Sequence, residues 1–491
     1  MKRLLGAMLA LGLVAVAACG EEPVEPAQPD LLVDRDFKVL AFDDPHDKCA
    51  ECHAQHVAEW ELSNHAYAAV DPVFLAMLRV GQEATKGKLG QFCIQCHTPP
   101  GMAMGQTVVT FDAIKVVWRQ DLAELSVTAR KGVSCDVCHS VTEVLEPVNA
   151  RAVLTPDGTR RGTIKDPVAT TAHGSAYSEL HGTSEVCGMC HAVTNPKGSL
   201  VEETFPEWAE SSAASEGKNC QSCHMPAYAG KAAPDGPERT LHRHTFVGVD
   251  VSLLPPEAFP GYEELRELTG QLLQASARLE ASVDPETANL ELTIENLAGH
   301  ALPSGATAER QLWVEVIVTD QAGEVVFESG TVDGNGDLRT GLAAQTEAPG
   351  TDPQLVSYGQ LLVNVPGLER VSPHAQTSIR VAAERDCLPM GLGGLNPRNG
   401  IEPVDFPWEA NWQCNHMLRP DAVDHPVYAL GPLARGKYVA HVRLLFRSLP
   451  PYFLRKLEKL GGLDPAVKTR VPTVVMAERR VPFTVALSPV P

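Results

Sequence analysis

The sequence predicts a multidomain α+β chain. A mostly helical and irregular N-terminal region over 45–250 is followed by an antiparallel β-sandwich over 286–491. Three observations carry this expectation. One Cys-x-x-Cys-His pattern recurs five times between Cys49 and His224. Past residue 250 the apolar residues fall into period-two runs separated by turn residues. Between the two lies a stretch, 251–285, whose leucines recur at helical spacing. The chain has 491 residues, enough for two or three domains.

Composition narrows the function classes. Charged residues make up 21% and hydrophobic residues 44%, so the bulk is neither disordered nor fibrous. Asp and Glu number 61 against 41 Lys and Arg, a formal charge of −20. A nucleic-acid binder needs a basic face to neutralise phosphates, so nucleic acid is excluded as a partner.

The chain starts with an export signal over 1–18. Lys2 and Arg3 precede an apolar run from Leu4 to Ala18 that is too short for a comfortable membrane span. Val16-Ala17-Ala18-Cys19 resembles a bacterial lipobox, in which the cysteine, here Cys19, becomes the lipidated first residue. The other reading is an ordinary cleavable signal with a chance cysteine. Gly20 follows in place of an Asp, a pattern that resembles Gram-negative lipoproteins sorted to the outer membrane. More than one acyl chain gives stable anchoring, so the expected membrane contact is through lipid alone. Residues 19–44 form a tether, and its Glu21–Asp30 part is rich in Pro and Glu.

Thirteen cysteines sort into three groups. Cys19 is the first. Ten lie in five motifs: Cys49/Cys52/His53, Cys93/Cys96/His97, Cys135/Cys138/His139, Cys187/Cys190/His191 and Cys220/Cys223/His224. Cys-x-x-Cys-His is the attachment signal for c-type haem. Its two thiols reach the two vinyl groups of one porphyrin, and the adjacent histidine lies beneath the ring as iron ligand. A redox dithiol has no need of the histidine, and zinc sites would not require it at every copy. Five covalently bound c-type haems are therefore expected, with His53, His97, His139, His191 and His224 as proximal ligands. At about 35 residues for each haem the region has little room for a side-chain core, so porphyrins are expected to fill its interior. Folding is then tied to haem attachment.

Distal ligands decide between electron relay and chemistry, because a haem with two axial histidines has no open position. Twelve of the seventeen histidines are not proximal. His65 follows His53 by twelve residues on an expected helix carrying Trp60. His244 is the next candidate, with His242 as its rival, and His173 and His181 precede the fourth motif. His46 and His56 crowd the first motif and read as outer groups.

These stretches, CAECHAQHVAEWELSNHAYAAV, GVSCDVCHSV, TSEVCGMCHAV and NCQSCHMP, resemble the multihaem cytochrome c superfamily over roughly residues 45–250. That class includes the tetrahaem electron carrier of ammonia oxidisers and, more distantly, hydroxylamine-oxidising and nitrite-reducing enzymes. Trp60 to Ala66, a W-x-x-S-x-HA stretch, is the most specific element. The resemblance implies that His65 ligates a haem other than the one attached beside it. The chain departs from the carrier in having five attachment sites. It departs from the nitrite reductases in having no C-x-x-C-K.

Beyond 250, Leu253–Pro260 reads as a boundary loop. A linker helix is expected from Tyr262 to about Ala281, with Leu265, Leu268, Leu272 and Leu279 on one face. Strands are expected around Leu290–Ile294, Leu312–Thr319, Glu324–Glu328, Gln360–Val365, Ser378–Ala383, Lys437–Phe446 and Val481–Leu487, a β-sandwich pattern. Cys387 and Cys414 remain, and in an exported chain a disulfide is the simplest reading, stabilising by about 3.5 kcal/mol. Asn296–Gly305 frames His300 between Gly and Pro, and similar loops occur in sandwich domains fused to multihaem cytochromes. His300 either ligates a haem or is a turn residue bonded to main chain. His374, His416, His425 and His441 lack such context.

The expected function is an exported, lipid-anchored pentahaem cytochrome that relays electrons to redox partners, quinol-linked or other cytochromes. His65, His173, His181, His244 and His300 would supply the distal ligands. The competing reading is a reductase or oxidase of a small nitrogen or sulfur species at one five-coordinate haem. A conducting assembly is a third.

Overall fold

A computed structural model describes residues 42–485 except 260, 343–345 and 365–401, together with the backbone of Leu32–Val33. The signal segment, Cys19, Cys387, His374 and the expected strand Ser378–Ala383 lie outside the described residues. Within the expected tether, the backbone of Leu32–Val33 pairs in parallel with Val153 and Leu154. Phe42 is buried, so the folded region begins before residue 45.

The N-terminal half is helix, hairpin and loop. Helix α1 (Ala50–Glu61) carries the first motif at its start. Helix α2 (Pro72–Ala84) starts with Pro72 after Asp71, whose side chain caps the Phe74 N–H. A hairpin of β1 (Val193–Thr194) and β2 (Leu200–Glu202) follows the fourth motif. This half has a side-chain core, contrary to the expectation of an interior filled by porphyrin alone. Phe42, Phe74, Leu78, Ile94, Leu122, Leu125, Leu154 and Met189 form one buried cluster. The chain between motifs is long enough to fold back on itself, and α2 supplies much of the apolar surface.

Helix α3 (Tyr262–Ala275) ends six residues before the expected Ala281. Leu279 belongs instead to strand β3 (Ala277–Val283), where it pairs with Ile294 and is fully buried. The sequence Ala277-Arg-Leu-Glu-Ala281 satisfies a two-residue period as well as a helical one. Burial between sheets decides the matter.

The remaining strands are β4 (Leu290–Asn296), β5 (Gln311–Asp320), β6 (Val325–Ser329), β7 (Ser357–Asn364), β8 (Glu402–Pro403), β9 (Trp412–His416), β10 (Val423–Asp424), β11 (Val427–Tyr428), β12 (Gly436–Arg447) and β13 (Val474–Val485). One sheet has the order β3-β4-β10, with β11 also on β4. The larger sheet runs β8-β7-β5-β12-β13, with β6 on β5 and β9 on β7. Strand β13 begins seven residues before the expected Val481. Alternate residues of both sheets meet in one core, including Leu279, Leu290, Leu292, Ile294, Val314, Val316, Val318, Val442 and Leu444.

The two halves are docked on each other. Helix α2 packs against α4 (Pro451–Gly461), where Arg79 Nε donates to the Gly461 carbonyl at 2.7 Å. A Cβ on Gly461 would stand 2.7 Å from the Ala76 carbonyl oxygen, so only glycine permits this approach. Arg310 grips Asp250 with both guanidinium nitrogens, at 3.1 and 3.0 Å. The Asn195 amide donates to the Pro407 and Ala410 carbonyls.

Candidate haem-binding site

The motifs fold as single helical turns, as in Cys135–His139 and Cys220–His224. Residues at i, i+3 and i+4 share a helix face, so two thiols and the histidine point the same way. Asn219 caps the last of these turns by accepting the Ser222 N–H at 2.9 Å.

None of the ten motif cysteines forms a disulfide, which leaves each sulfur for a thioether, but they are not equally covered. Cys52 is exposed, as is Cys223, whereas the other eight are half-buried. Two local features account for Cys52. The first motif opens α1 at the edge of the fold, with exposed Glu51 before the thiol and exposed Ala54 and Gln55 soon after it. The helix is also kinked at the next residue, His53, whose φ of −116° and ψ of 38° are not helical. The kink directs the His53 ring inward to the Ala232 carbonyl while Cys52 stays at the surface. The signal for this lay in Ala50-Glu51-Cys52-His53-Ala54-Gln55, which lacks the large apolar residues that would cover the thiol.

Each proximal imidazole has its Nδ1 engaged. His53 donates to the Ala232 carbonyl at 2.6 Å, His97 to Ala68 at 3.1 Å, His139 to Arg161 at 2.6 Å and His224 to Val247 at 2.7 Å. His191 faces Glu202 Oε1 at 3.2 Å. Fixing Nδ1 in this way orients the ring and leaves Nε2 for a metal.

Two imidazoles sharing one iron have predictable spacing. With a metal–nitrogen bond of about 2.0–2.1 Å and about 1.1 Å from nitrogen to ring centre, the ring centres stand about 6.2 Å apart. His65 and His191 stand 6.2 Å apart, His53 and His173 6.3 Å, His224 and His300 6.3 Å, and His139 and His244 6.4 Å. His173, His244 and His300 donate Nδ1 to the carbonyls of Gly174, His242 and Ala301, which leaves Nε2 available. Burial is the largest cause pushing the imidazole pKa down, to about 3 for His65 and His244 and about 4 for His139 and His300. Neutral imidazole is the ligating form. The donor set therefore fits c-type haem at these positions.

The remaining candidates fall elsewhere. His181 lies 5.9 Å from His139 with nearly parallel rings. Its Nε2 donates to the Cys138 carbonyl at 2.9 Å and its Nδ1 faces Ser178 Oγ at 2.8 Å, so both nitrogens are engaged. That geometry differs from the expected distal role and favours His244. His56 is 6.2 Å from His53, but its Nε2 bonds the Tyr228 hydroxyl at 3.2 Å. His242 donates to the Met225 carbonyl. His97 has Phe74 stacked on its ring at 3.9 Å, and among the described residues no imidazole stands at iron-sharing distance from it.

Supporting groups explain the placement. Trp60 Nε1 donates to the Val133 carbonyl, while the Val133 N–H donates to the His65 carbonyl, so the W-x-x-S-x-HA stretch clamps the 130s turn. Glu59 accepts from the His244 N–H at 2.8 Å and pairs with Arg243. Asn296 Nδ2 donates to the carbonyls of His300, Leu418 and Arg419 and holds the His300 loop. Thiols of different motifs meet as well: Cys49 with Cys135, Cys96 with Cys190 and Cys187 with Cys220. A cavity of about 1050 Å³ opens beside Cys223 and His224, walled by Trp60, Leu62, Leu268 and Leu272. Two of the leucines expected on one face of α3 thus look into it. Cys414 is disulfide-bonded, with its expected partner Cys387 outside the described residues.

Comparison with known proteins agrees with this chemistry. Residues 48–140 match the family described as cytochrome c554 and c-prime. No curated protein matches. A penta-haem cytochrome c552 from Thermochromatium tepidum has a similar fold at 20% identity, with a TM-score of 0.57, covering 89% of this chain and 98% of that one. Among the described residues no helix is long and apolar enough to cross a membrane. The five motifs and the family match over residues 48–140 support a multihaem c-type cytochrome, and the structural likeness shows a shared fold.

Proposed function

We propose that this chain is an exported pentahaem c-type cytochrome that relays electrons at the bacterial cell envelope, anchored by lipid at Cys19 to the outer membrane. The observation that carries the reading is the pairing of imidazoles at the separation one iron requires. His53 and His173, His139 and His244, His191 and His65, and His224 and His300 are the proposed axial pairs. Bound there, haem supplies one-electron chemistry. The chain's own residues would hold both axial positions and exclude other ligands. The count of five rests on five motifs, and the fold neighbour is itself described as penta-haem.

The thiol contacts support a branched arrangement. The first attachment site adjoins the third, and the fourth adjoins both the second and the fifth. Cys138 of the third motif is within electrostatic reach of Cys187 and Cys190. The fourth site is thus the proposed junction. Partners are redox proteins, quinol-linked or other cytochromes. The proposed Cys387–Cys414 disulfide would brace the sandwich.

A second reading is favoured by His97. With no described imidazole opposite it, this site is the one that could take a small nitrogen or sulfur species. The test is a haem count per chain together with an electron paramagnetic resonance spectrum of the oxidised holoprotein. Five haems with bis-histidine low-spin signals for the four paired sites support the relay. Fewer haems, or high-spin iron at a paired site, would overturn it.

A further inference from the structure

Four of the five proximal histidines give their Nδ1 proton to a main-chain carbonyl. His191 gives its proton to a carboxylate, Glu202 Oε1, at 3.2 Å. The difference has a chemical consequence. A carboxylate draws the Nδ1 proton more strongly than an amide carbonyl does, so the imidazole becomes a stronger donor to the metal at Nε2. Stronger donation and a nearby negative charge both favour the oxidised iron. The two effects have the same sign.

Glu202 is held in place from several sides. It ends β2 and pairs with Val193, two residues past His191, so the hairpin returns the carboxylate to the ligand it follows. The hairpin turn is fixed by Asn195, whose Oδ1 accepts from the Lys197 and Ser199 N–H groups. The same side chain ties the turn to the sandwich half through Pro407 and Ala410. Thr204 Oγ1 lies 3.3 Å from Glu202 Oε1 and 2.8 Å from Ser304 Oγ. The Glu202 side chain is only 17% exposed. Arg310 lies within its electrostatic reach but has both terminal nitrogens committed to Asp250.

Resting on the proposed relay, we infer that Glu202 is the positioning residue that makes the fourth haem site the lowest-potential site of the array. Its place at the junction of the second, third and fifth sites makes this a control point. A low-potential junction is the last site to hold an electron, so charge settles on the arms and crosses between them only by an uphill step. The property would belong to the hairpin and to the sandwich half that braces it.

The experiment is a spectroelectrochemical titration of the full holoprotein, native and with Glu202→Gln, which keeps a hydrogen-bonding partner for Thr204. The fourth site is identified as the low-spin signal lost in His65→Ala. In Glu202→Gln the reduction equilibrium of that site should shift about tenfold toward the reduced state, about 59 mV for a one-electron couple. The other midpoints should stay in place. Glu202→Asp, which keeps the charge but shortens the reach, should shift the same site by less. An unmoved fourth midpoint with its low-spin signal intact would overturn the inference and leave the relay standing. Absence of a low-spin fourth site in the native protein would instead overturn the ligand pairing beneath both.

Discussion

His300 and His224 face each other with ring centres 6.3 Å apart and planes tilted by only 14°, although one belongs to the sandwich half and the other to the last attachment motif. The His300 loop is rigid for reasons independent of any iron, because Asn296 holds three of its neighbouring carbonyls. Removing the imidazole should therefore leave the loop folded. His300→Ala is expected to convert one low-spin haem to high-spin while leaving far-ultraviolet circular dichroism unchanged. His300→Met should keep that haem low-spin and raise its midpoint potential, because thioether ligation favours reduced iron. A spectrum unchanged in both variants would mean that His300 is only a turn residue.

His181 and His244 compete for the same partner, and their hydrogen bonds separate them. His181 Nε2 carries a proton to the Cys138 carbonyl, whereas His244 commits only Nδ1. His244→Ala should turn the third haem high-spin. His181→Ala should leave the number of low-spin irons unchanged and cost about 1 kcal/mol of stability for the lost hydrogen bonds. The opposite pattern in spin-state spectra would reverse the assignment.

Glu207 gives the contact between halves a pH dependence. Its Oε2 accepts from the Ala301 N–H at 3.1 Å and from Ser304 Oγ at 2.6 Å. Burial is the main cause raising its pKa from the ordinary 4.5 to about 7, and the nearby Glu203 and Glu202 push the same way. A carboxyl raised in the folded state binds its proton more tightly there than when unfolded. The stability it contributes is full below pH 4.5 and is lost as pH rises toward about 7, by about 3 kcal/mol. Denaturant midpoints measured from pH 4.5 to 8 should show this fall, with the curve flatter in Glu207→Gln. Equal slopes in the two proteins would assign the effect to other groups.

Much of this site can be read in the sequence, and the unread parts share a cause. Five attachment turns follow from spacing alone, and His65 and His300 stand out through Trp60-x-x-Ser63 and through a Gly- and Pro-framed loop. The choice between His181 and His244 depends on which nitrogen is already bonded, which spacing does not encode. The motif spacing is likewise silent on how well each thiol is covered, so Cys52 and Cys49 look equivalent in sequence although only Cys52 is exposed. Leu279 satisfies two periodicities at once, and its partner Ile294 settles which one applies. Glu202 escapes sequence reasoning because a glutamate eleven residues past a ligand, with Glu203 beside it, carries no pattern. Its signal lay in Asn195-Pro-Lys-Gly198, a turn that sends the chain back toward His191.

Gly132 offers a direct test of how His65 is positioned. Its φ of +62° lies in the left-handed region, and a Cβ there would stand 2.5 Å from the His65 carbonyl oxygen. The next residue, Val133, donates its N–H to that same oxygen at 3.0 Å. Gly132→Ala therefore adds a backbone penalty of about 1–2 kcal/mol and a clash that the turn can relieve only by moving His65. The expected outcome is a lower denaturation midpoint together with partial conversion of the fourth haem to high-spin. Ala68, whose Cβ is 3.2 Å from the same point, limits escape in the other direction. A control at Gly217, also at positive φ but with open space around it, carries the backbone penalty without the clash. Gly217→Ala should lower stability and leave every haem's spin state alone, so a spin change confined to Gly132→Ala would trace ligand geometry to this one contact.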